Sequence, residues 1–221
     1  MRRKYHKDME VSRQPNETAR TAERGPRART RKLMLDTATR LMQSGITPSI
    51  SEVAEAAEVS RATAYRYFPS QAALVHAVVD EALGPILDWS SDSPDARTRV
   101  ADLLATAMPR IDEFEATFKA ALKLSLDQWA QRQAGTLGNE PLFTRGHRID
   151  LLRCATAPLQ GTVPPEARER LAQALSLVFG VEVLIVLKDI WGLSSDRAHS
   201  VAVWAANALV QAAVREAGGQ G

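Results

Sequence analysis

The 221-residue sequence predicts an all-α protein, in which a three-helix unit built on a helix-turn-helix precedes a larger helical region. Three observations lead there. Residues 49–74, SISEVAEAAEVSRATAYRYFPSQAAL, place Ser49, Ser60 and Ser70 each just ahead of a short run with helical apolar spacing. Apolar residues through the middle of the chain recur at three- and four-residue intervals. Two closing runs, 177–187 and 201–210, are almost free of charge yet too short for a membrane, which needs about 18 apolar residues.

Residues 1–27 lack apolar periodicity and contain Pro15, Gly25 and Pro26, which reads as a disordered arm. From Arg29 to Ser44 the apolar positions Leu33, Met34, Ala38, Leu41 and Met42 share one stripe, closed by Gly45. Ser49 and Glu52 then have capping-box spacing, in which each side chain satisfies an orphan amide at a helix start. Glu58-Val59 forms the turn, Ser60 opens the next helix, and Pro69 stops it, because proline lacks an N–H and disfavours helical geometry just before it. Ala54, Ala57 and Ala64 are small enough for the two short helices to cross closely, as a helix-turn-helix requires.

The second helix of that pair carries the chemistry. Ser60, Arg61, Thr63, Tyr65, Arg66 and Tyr67 are hydrogen-bond donors crowded into eight residues. Arginine can fork onto guanine O6 and N7, threonine offers a hydroxyl and a methyl to base edges, and tyrosine hydroxyls suit phosphates. A recognition helix reads bases with its N-terminal residues, which points to Arg61, Ala62 and Thr63, with Ser51, Tyr65 and Tyr67 on the backbone and Arg66 facing phosphates or solvent. The competing reading is an ordinary solvated helix hairpin.

Residues 31–76 resemble the DNA-binding domain of the TetR/AcrR family of bacterial regulators. RKLMLDTATRLMQSGI is similar to that family's first helix, and VAEAAEVSRATAYRYFPSQAAL to its core pattern, without a gap. Two positions depart from the pattern. Glu58 stands where the family commonly has a turn glycine, so a side chain must be accepted there, at a cost if the backbone is left-handed. Gln71 stands where a lysine commonly lies near a phosphate, which weakens one ionic contact to a neutral one.

After Pro69, Ala73, Leu74, Ala77, Val78 and Ala82 share a face up to Gly84-Pro85, expected to kink or end the helix. The resemblance implies that this fourth helix transmits ligand state. A loop follows over 89–94, then a helix from Asp95 to Met108, expected to break at Pro109. A longer helix is expected over 111–133, with Phe114, Phe118, Leu122, Leu126 and Trp129 in one row. A loop over 135–141 and an amphipathic helix over 142–159 come next. The resemblance places an effector pocket among these middle helices, with Phe114, Phe118, Trp129, His147 and Arg148 as candidates. Plain core packing is the competing account of the aromatics. Arg148 and Arg153 would favour an anionic ligand if they point inward.

The last two helices, 165–191 and 194–217, each need cover on two sides, because they are apolar nearly all round. The resemblance implies a four-helix homodimer interface, using Leu177, Val181, Leu184, Ile185, Val201, Trp204 and Ala208. The rival is a monomer that buries both helices.

Charge agrees with a polyanion partner at one end only. Residues 1–32 hold 11 Lys/Arg against four acids, a net of +7, and the remaining 17 against 22 give −5. Cys154, the single cysteine, cannot form an internal disulfide and fits a reducing cytosol as a buried helical thiol. Four scattered histidines have no metal-ligand spacing, so no metal or cofactor is expected. No glycine-rich phosphate loop or nucleophile elbow suggests an enzyme. The expectation is a cytoplasmic, homodimeric regulator that binds a double-stranded DNA operator and a small-molecule effector. Residues 28–76 would form its DNA-binding domain and 77–217 its effector-binding and dimerisation domain. The alternative is an activator or chromosome-organising protein of the same fold without an inducer.

Overall fold

A computed structural model describes residues 25–219. The arm expected over 1–27 falls mostly outside them, and its last residues belong instead to the first helix. Helix α1 runs Pro26–Gln43, with Pro26 at its first turn, where a missing N–H costs nothing. Met34, Leu35, Ala38 and Met42 form its buried stripe, whereas Leu33 is exposed. Helices α2 (Ile50–Ala56) and α3 (Arg61–Tyr67) form the helix-turn-helix, and α4 is Gln71–Leu83.

The caps are those the serines predict. Ser49 Oγ accepts the Glu52 amide at 3.2 Å while the Glu52 carboxylate accepts the Ser49 amide at 2.7 Å. Those bonds hold the Glu52 carboxyl below its ordinary pKa. Ser60 accepts from the Thr63 amide and Ser70 from the Ala73 amide. Each such cap is worth about 1 kcal/mol. Ala54, Ala57 and Ala64 are buried where α2 and α3 cross, with Val53 and Phe68 beneath them.

Helix α2 ends in a Schellman motif, with Val59 N–H donating to Ala54 O and Glu58 N–H to Glu55 O. Glu58 has φ 54°, the left-handed conformation, and is the one non-glycine with positive φ among the described residues. Helix α1 closes in the same way, but there Gly45 takes the left-handed position at φ 83°.

Helix α4 ends at Leu83, and a 3-10 turn over Gly84–Asp88 follows. Helix α5 (Ala96–Glu113) passes straight through Pro109, contrary to the expected break. The interruption comes five residues later, at Phe114 (φ −104°, ψ 24°), so Ile111 packs from α5 and α6 is Glu115–Gln133. Arg110 repays the continuation, because its guanidinium donates to Ala82 O at 2.7 Å and Glu81 O at 3.5 Å, capping the C-terminus of α4.

The amphipathic helix expected over 142–159 is shorter. Residues 141–146 have no regular secondary structure and are pinned by Phe143 N–H donating to Gln128 Oε1 at 2.7 Å, and α7 is His147–Thr156. The expected 165–191 helix is broken into α8 (Pro165–Leu175), a 3-10 turn, and α9 (Val181–Leu184), which continues as a π-helix over Ile185–Ile190. The break is at Gly180, φ 112°, and the two halves meet at 50°. Helix α10 (Ser195–Gly218) packs mainly along α5, and no single described helix is long and apolar enough to cross a membrane.

The three N-terminal helices are tied to the rest through α1, which packs on α4 and α6, and through Thr47, whose hydroxyl donates to Ala120 O of α6 at 3.2 Å.

Candidate nucleic-acid interface and cavity

On α3, Ala64 and Phe68 turn inward, and this fixes what faces out: Arg61, Ala62, Tyr65 and Arg66 are exposed, Thr63 and Tyr67 half-buried. The hydroxyl of Ser60 donates to Thr63 Oγ1 at 2.9 Å, which leaves the Thr63 proton free to donate onward. Arg66 lies 5.5 Å from the Tyr67 ring centroid, and Arg31 from α1 lies 5.5 Å from the Phe68 ring. Arg31 therefore adds a cation beside the C-terminal end of α3. Its neighbours Arg27 and Arg29 are exposed on the same first turns of α1. From the sequence, Arg27 belongs to an arm that either tracks phosphates or enters a minor groove or is merely solvated, and Arg29 and Arg31 count only toward the basic front without a specific contact. Lys32 is diverted into pairs with Asp36 at 3.1 Å and Glu81 at 3.8 Å.

Ser51 is half-buried on α2. Gln71 has another occupation than the one expected: its side-chain amide donates to Pro48 O at 3.0 Å and Thr47 O at 3.4 Å, bracing the linker. Its backbone N–H, at the start of α4, donates to the Glu140 carboxylate at 3.2 Å. A carboxylate from the far region thus sits on an amide that could otherwise receive a phosphate.

The middle helices enclose a cavity of about 660 Å³, counting the part open at its mouth. Val79, Leu83, Ile111, Phe118, Phe143 and Phe179 make its walls, and His76, Arg145, His147 and Arg148 supply its polar groups. Three of the five expected pocket residues, Phe118, His147 and Arg148, are here. Phe114 is not: its ring lies under the Arg110 guanidinium at 4.3 Å, outside the lining. Trp129 is not either, being 62 % exposed, because α6 presents that part of the row to solvent. Arg153 points outward into a pair with Glu169 at 2.8 Å.

Arg145 and Arg148 share one carboxylate, Glu182, with Arg148 Nη2 at 2.8 Å. Burial and the neighbouring Arg145 push Arg148 down to about 10, and burial also lowers Arg145, so both remain cationic at neutral pH. His147 pairs with Asp80 of α4 at 2.8 Å, and that bond raises its pKa. His76 accepts from the Thr144 amide at 3.3 Å and is held neutral by burial. A signal for this cluster was present: Glu182 is the one charge in the apolar run 177–187, and a carboxylate so placed needs a cation.

On the opposite side, Leu177, Ile190, Trp191, Val201, Trp204 and Val214 are exposed, Trp204 to 73 %. Ala208 is exposed one turn from Trp204, and Ile185 is half-buried. Val181 and Leu184 belong to the protomer core, 5 % and 0 % exposed, and cannot reach a second chain, since the break at Gly180 turns them inward. Cys154 is partly buried on α7, its sulfur accepting from Arg99 at 3.4 Å. No group of three or more potential metal ligands occurs among the described residues.

Among the described residues, a capped helix-turn-helix, a donor-rich outer helix and a helical body beyond it have the architecture of a DNA-binding regulator. Residues 34–78 match the family model for bacterial regulatory proteins of the tetR family, which makes the helix-turn-helix region a DNA-binding domain of that type. No curated protein matches it. Among solved structures it is similar in fold to a tetR-family transcriptional regulator from Streptomyces coelicolor, at 20% identity and TM-score 0.59 over 86% of each chain. It is similar also to a TetR transcriptional regulator from Rhodococcus sp. RHA1, at 21% identity and TM-score 0.52, over 84% of this chain and 97% of that one.

Proposed function

We propose that the protein is a homodimeric repressor that binds a pseudo-palindromic operator and is released by a small molecule held in the cavity between α4, α5, α6 and α7. The observation that supports this most is the outer face of α3, where Arg61, Ala62, Thr63 and Tyr65 stand clear of the core at the start and middle of a capped helix. In this reading Arg61 and Thr63 contact bases, and Ser51, Ser60, Tyr65, Arg66 and Tyr67 contact the backbone. The Gln71 side chain positions the linker instead of touching DNA. Residues from α1 to α3 form the DNA-binding unit, and the remaining helices bind effector and dimerise.

Release is a population shift, limited by how much better the ligand binds the form with badly spaced recognition helices. The cavity is placed for this. It touches α4 through His76, Val79 and Leu83, and α4 runs on from the helix-turn-helix. Selection of bound sequences from random duplexes tests the reading. A palindromic motif with two half-sites is expected. Binding without a motif, fading only with salt, overturns it.

A further inference from the structure

We infer that the cavity recognises a ligand with an apolar body and a single carboxylate, which docks on Arg145 and Arg148 in competition with Glu182. This rests on the reading of the cavity as the effector site. The argument begins with charge. Two guanidinium groups line a largely apolar cavity, and one carboxylate answers both. Within this cluster two guanidinium groups face one carboxylate, so Glu182 leaves one positive charge unanswered; His147 has its own acceptor in Asp80, and burial disfavours a charge on His76.

Donor supply points the same way. Arg148 directs Nη1 to Ser176 O at 3.3 Å and Nη2 to Glu182. Arg145 reaches Glu182 through one terminal nitrogen, which leaves donors of its planar fork for a further acceptor. The place is also shaped for these side chains. A Cβ on Gly180 would stand 2.8 Å from Arg148 Nη2, so the glycine that breaks α8 from α9 is what lets the guanidinium lie against the backbone.

A carboxylate is the head group the geometry suits. Glu182 already shows two arginines closing on one planar carboxylate, and a ligand carboxylate that takes its place finds the same planar, two-sided set of donors. The walls, with Phe118, Phe143 and Phe179, call for an apolar remainder. Glu182 acts as an internal stand-in that keeps two part-buried cations paired until ligand arrives.

The test uses the full chain and two matched probe pairs, octanoate with octanamide and 3-phenylpropanoate with 3-phenylpropanamide, by titration calorimetry. Octyl phosphate serves as the head-group control. At least one carboxylate should bind about tenfold or more tighter than its amide. Glu182→Gln should raise carboxylate affinity by about tenfold or more and leave the amides unchanged. Arg148→Gln should abolish the preference. Should that variant not fold, Glu182→Gln decides alone. Equal binding of acids and amides, preference for octyl phosphate, or no carboxylate binding to Glu182→Gln overturns the inference. Operator release, followed in parallel, separates the two readings. Carboxylates that bind as stated without releasing DNA sink the release mechanism and spare the site. Release by the amides alone does the reverse.

Discussion

Arg61 is exposed at the first position of α3, with no described partner competing for its guanidinium, and so is free to fork onto a base. Arg61→Ala should cost about 1–3 kcal/mol of operator binding and relax discrimination at one base pair. Competition binding against single-base operator variants checks this, and an unchanged base preference would remove Arg61 from the readout. Tyr67→Phe should weaken all sequences alike. Glu58 is the second residue with a sharp expectation. Gly45 closes α1 by the same Schellman geometry that Glu58 closes α2, but Glu58 holds φ 54° with a Cβ. Left-handed geometry costs a non-glycine about 1–2 kcal/mol, part of which glycine loses again through unfolded-state entropy. Glu58→Gly should therefore raise stability by up to about 1 kcal/mol in urea unfolding, and a loss of stability would show that the side chain contributes more than the strain takes away.

Elements differ in how far local sequence determined them. Helices α2 to α4 were legible because serine caps, a terminating proline and alanines at the crossing are local signals, and each makes its predicted contact. The middle helices were misjudged where tertiary bonds overrode local preference. Pro109 looks like a stop, yet Arg110 ties the next turn of α5 to the end of α4 and the helix continues. Residues 142–146 join the apolar pattern of the following helix, but Gln128 takes the Phe143 amide and keeps this segment out of the helix. Three of the sixteen residues lining the cavity were found from the resemblance, and Arg145 was missed, because its role depends on Glu182, 37 residues away. Two predictions belong at this scale. Glu140 blocks the first amide of α4, so Glu140→Gln should tighten operator binding several-fold at low salt, with the gain shrinking as salt rises. Equal affinity at all salt concentrations would show that this amide never meets a phosphate. The second concerns the α4–α7 contact. Asp80 raises the pKa of His147, so its contribution is full below the unfolded value of about 6.5 and disappears as pH rises through the folded value. His76, shifted the other way by burial, is present in both proteins being compared and largely cancels. Because His147 is 41 % exposed, the wild-type advantage over His147→Gln should stay below about 1 kcal/mol, larger near pH 6 than near pH 9 in thermal unfolding.

At the scale of the whole molecule, the unresolved demand is the apolar face of α9, its π-helical extension and α10. Trp204 and Ile190, each 73 % exposed, lie on helices whose other faces are already buried against α5 and α6, and Trp191, 72 % exposed, follows Ile190 in the turn that ends the π-helix. Solvating so many large side chains together is unfavourable by roughly 25 cal/mol per Å² of apolar surface. The π-helical segment that carries Ile190 is itself braced. Lys188 reaches Asp112 at 2.5 Å and Glu115 at 2.6 Å across the α5–α6 corner, so the face is presented rigidly. In the proposed homodimer a second copy of the chain would cover this face symmetrically, and the same symmetry would supply the second recognition helix that a palindrome needs. Trp204→Asp combined with Ile190→Asp places two charges at the centre of that face without touching α1 to α4. Sedimentation should then find monomers at micromolar concentration with undiminished helical content. Operator affinity should fall to that of a half-site, while affinity for isolated half-sites stays unchanged. A double variant that remains dimeric would move the interface elsewhere, and a monomer that still binds the full operator with wild-type affinity would break the link between dimerisation and readout.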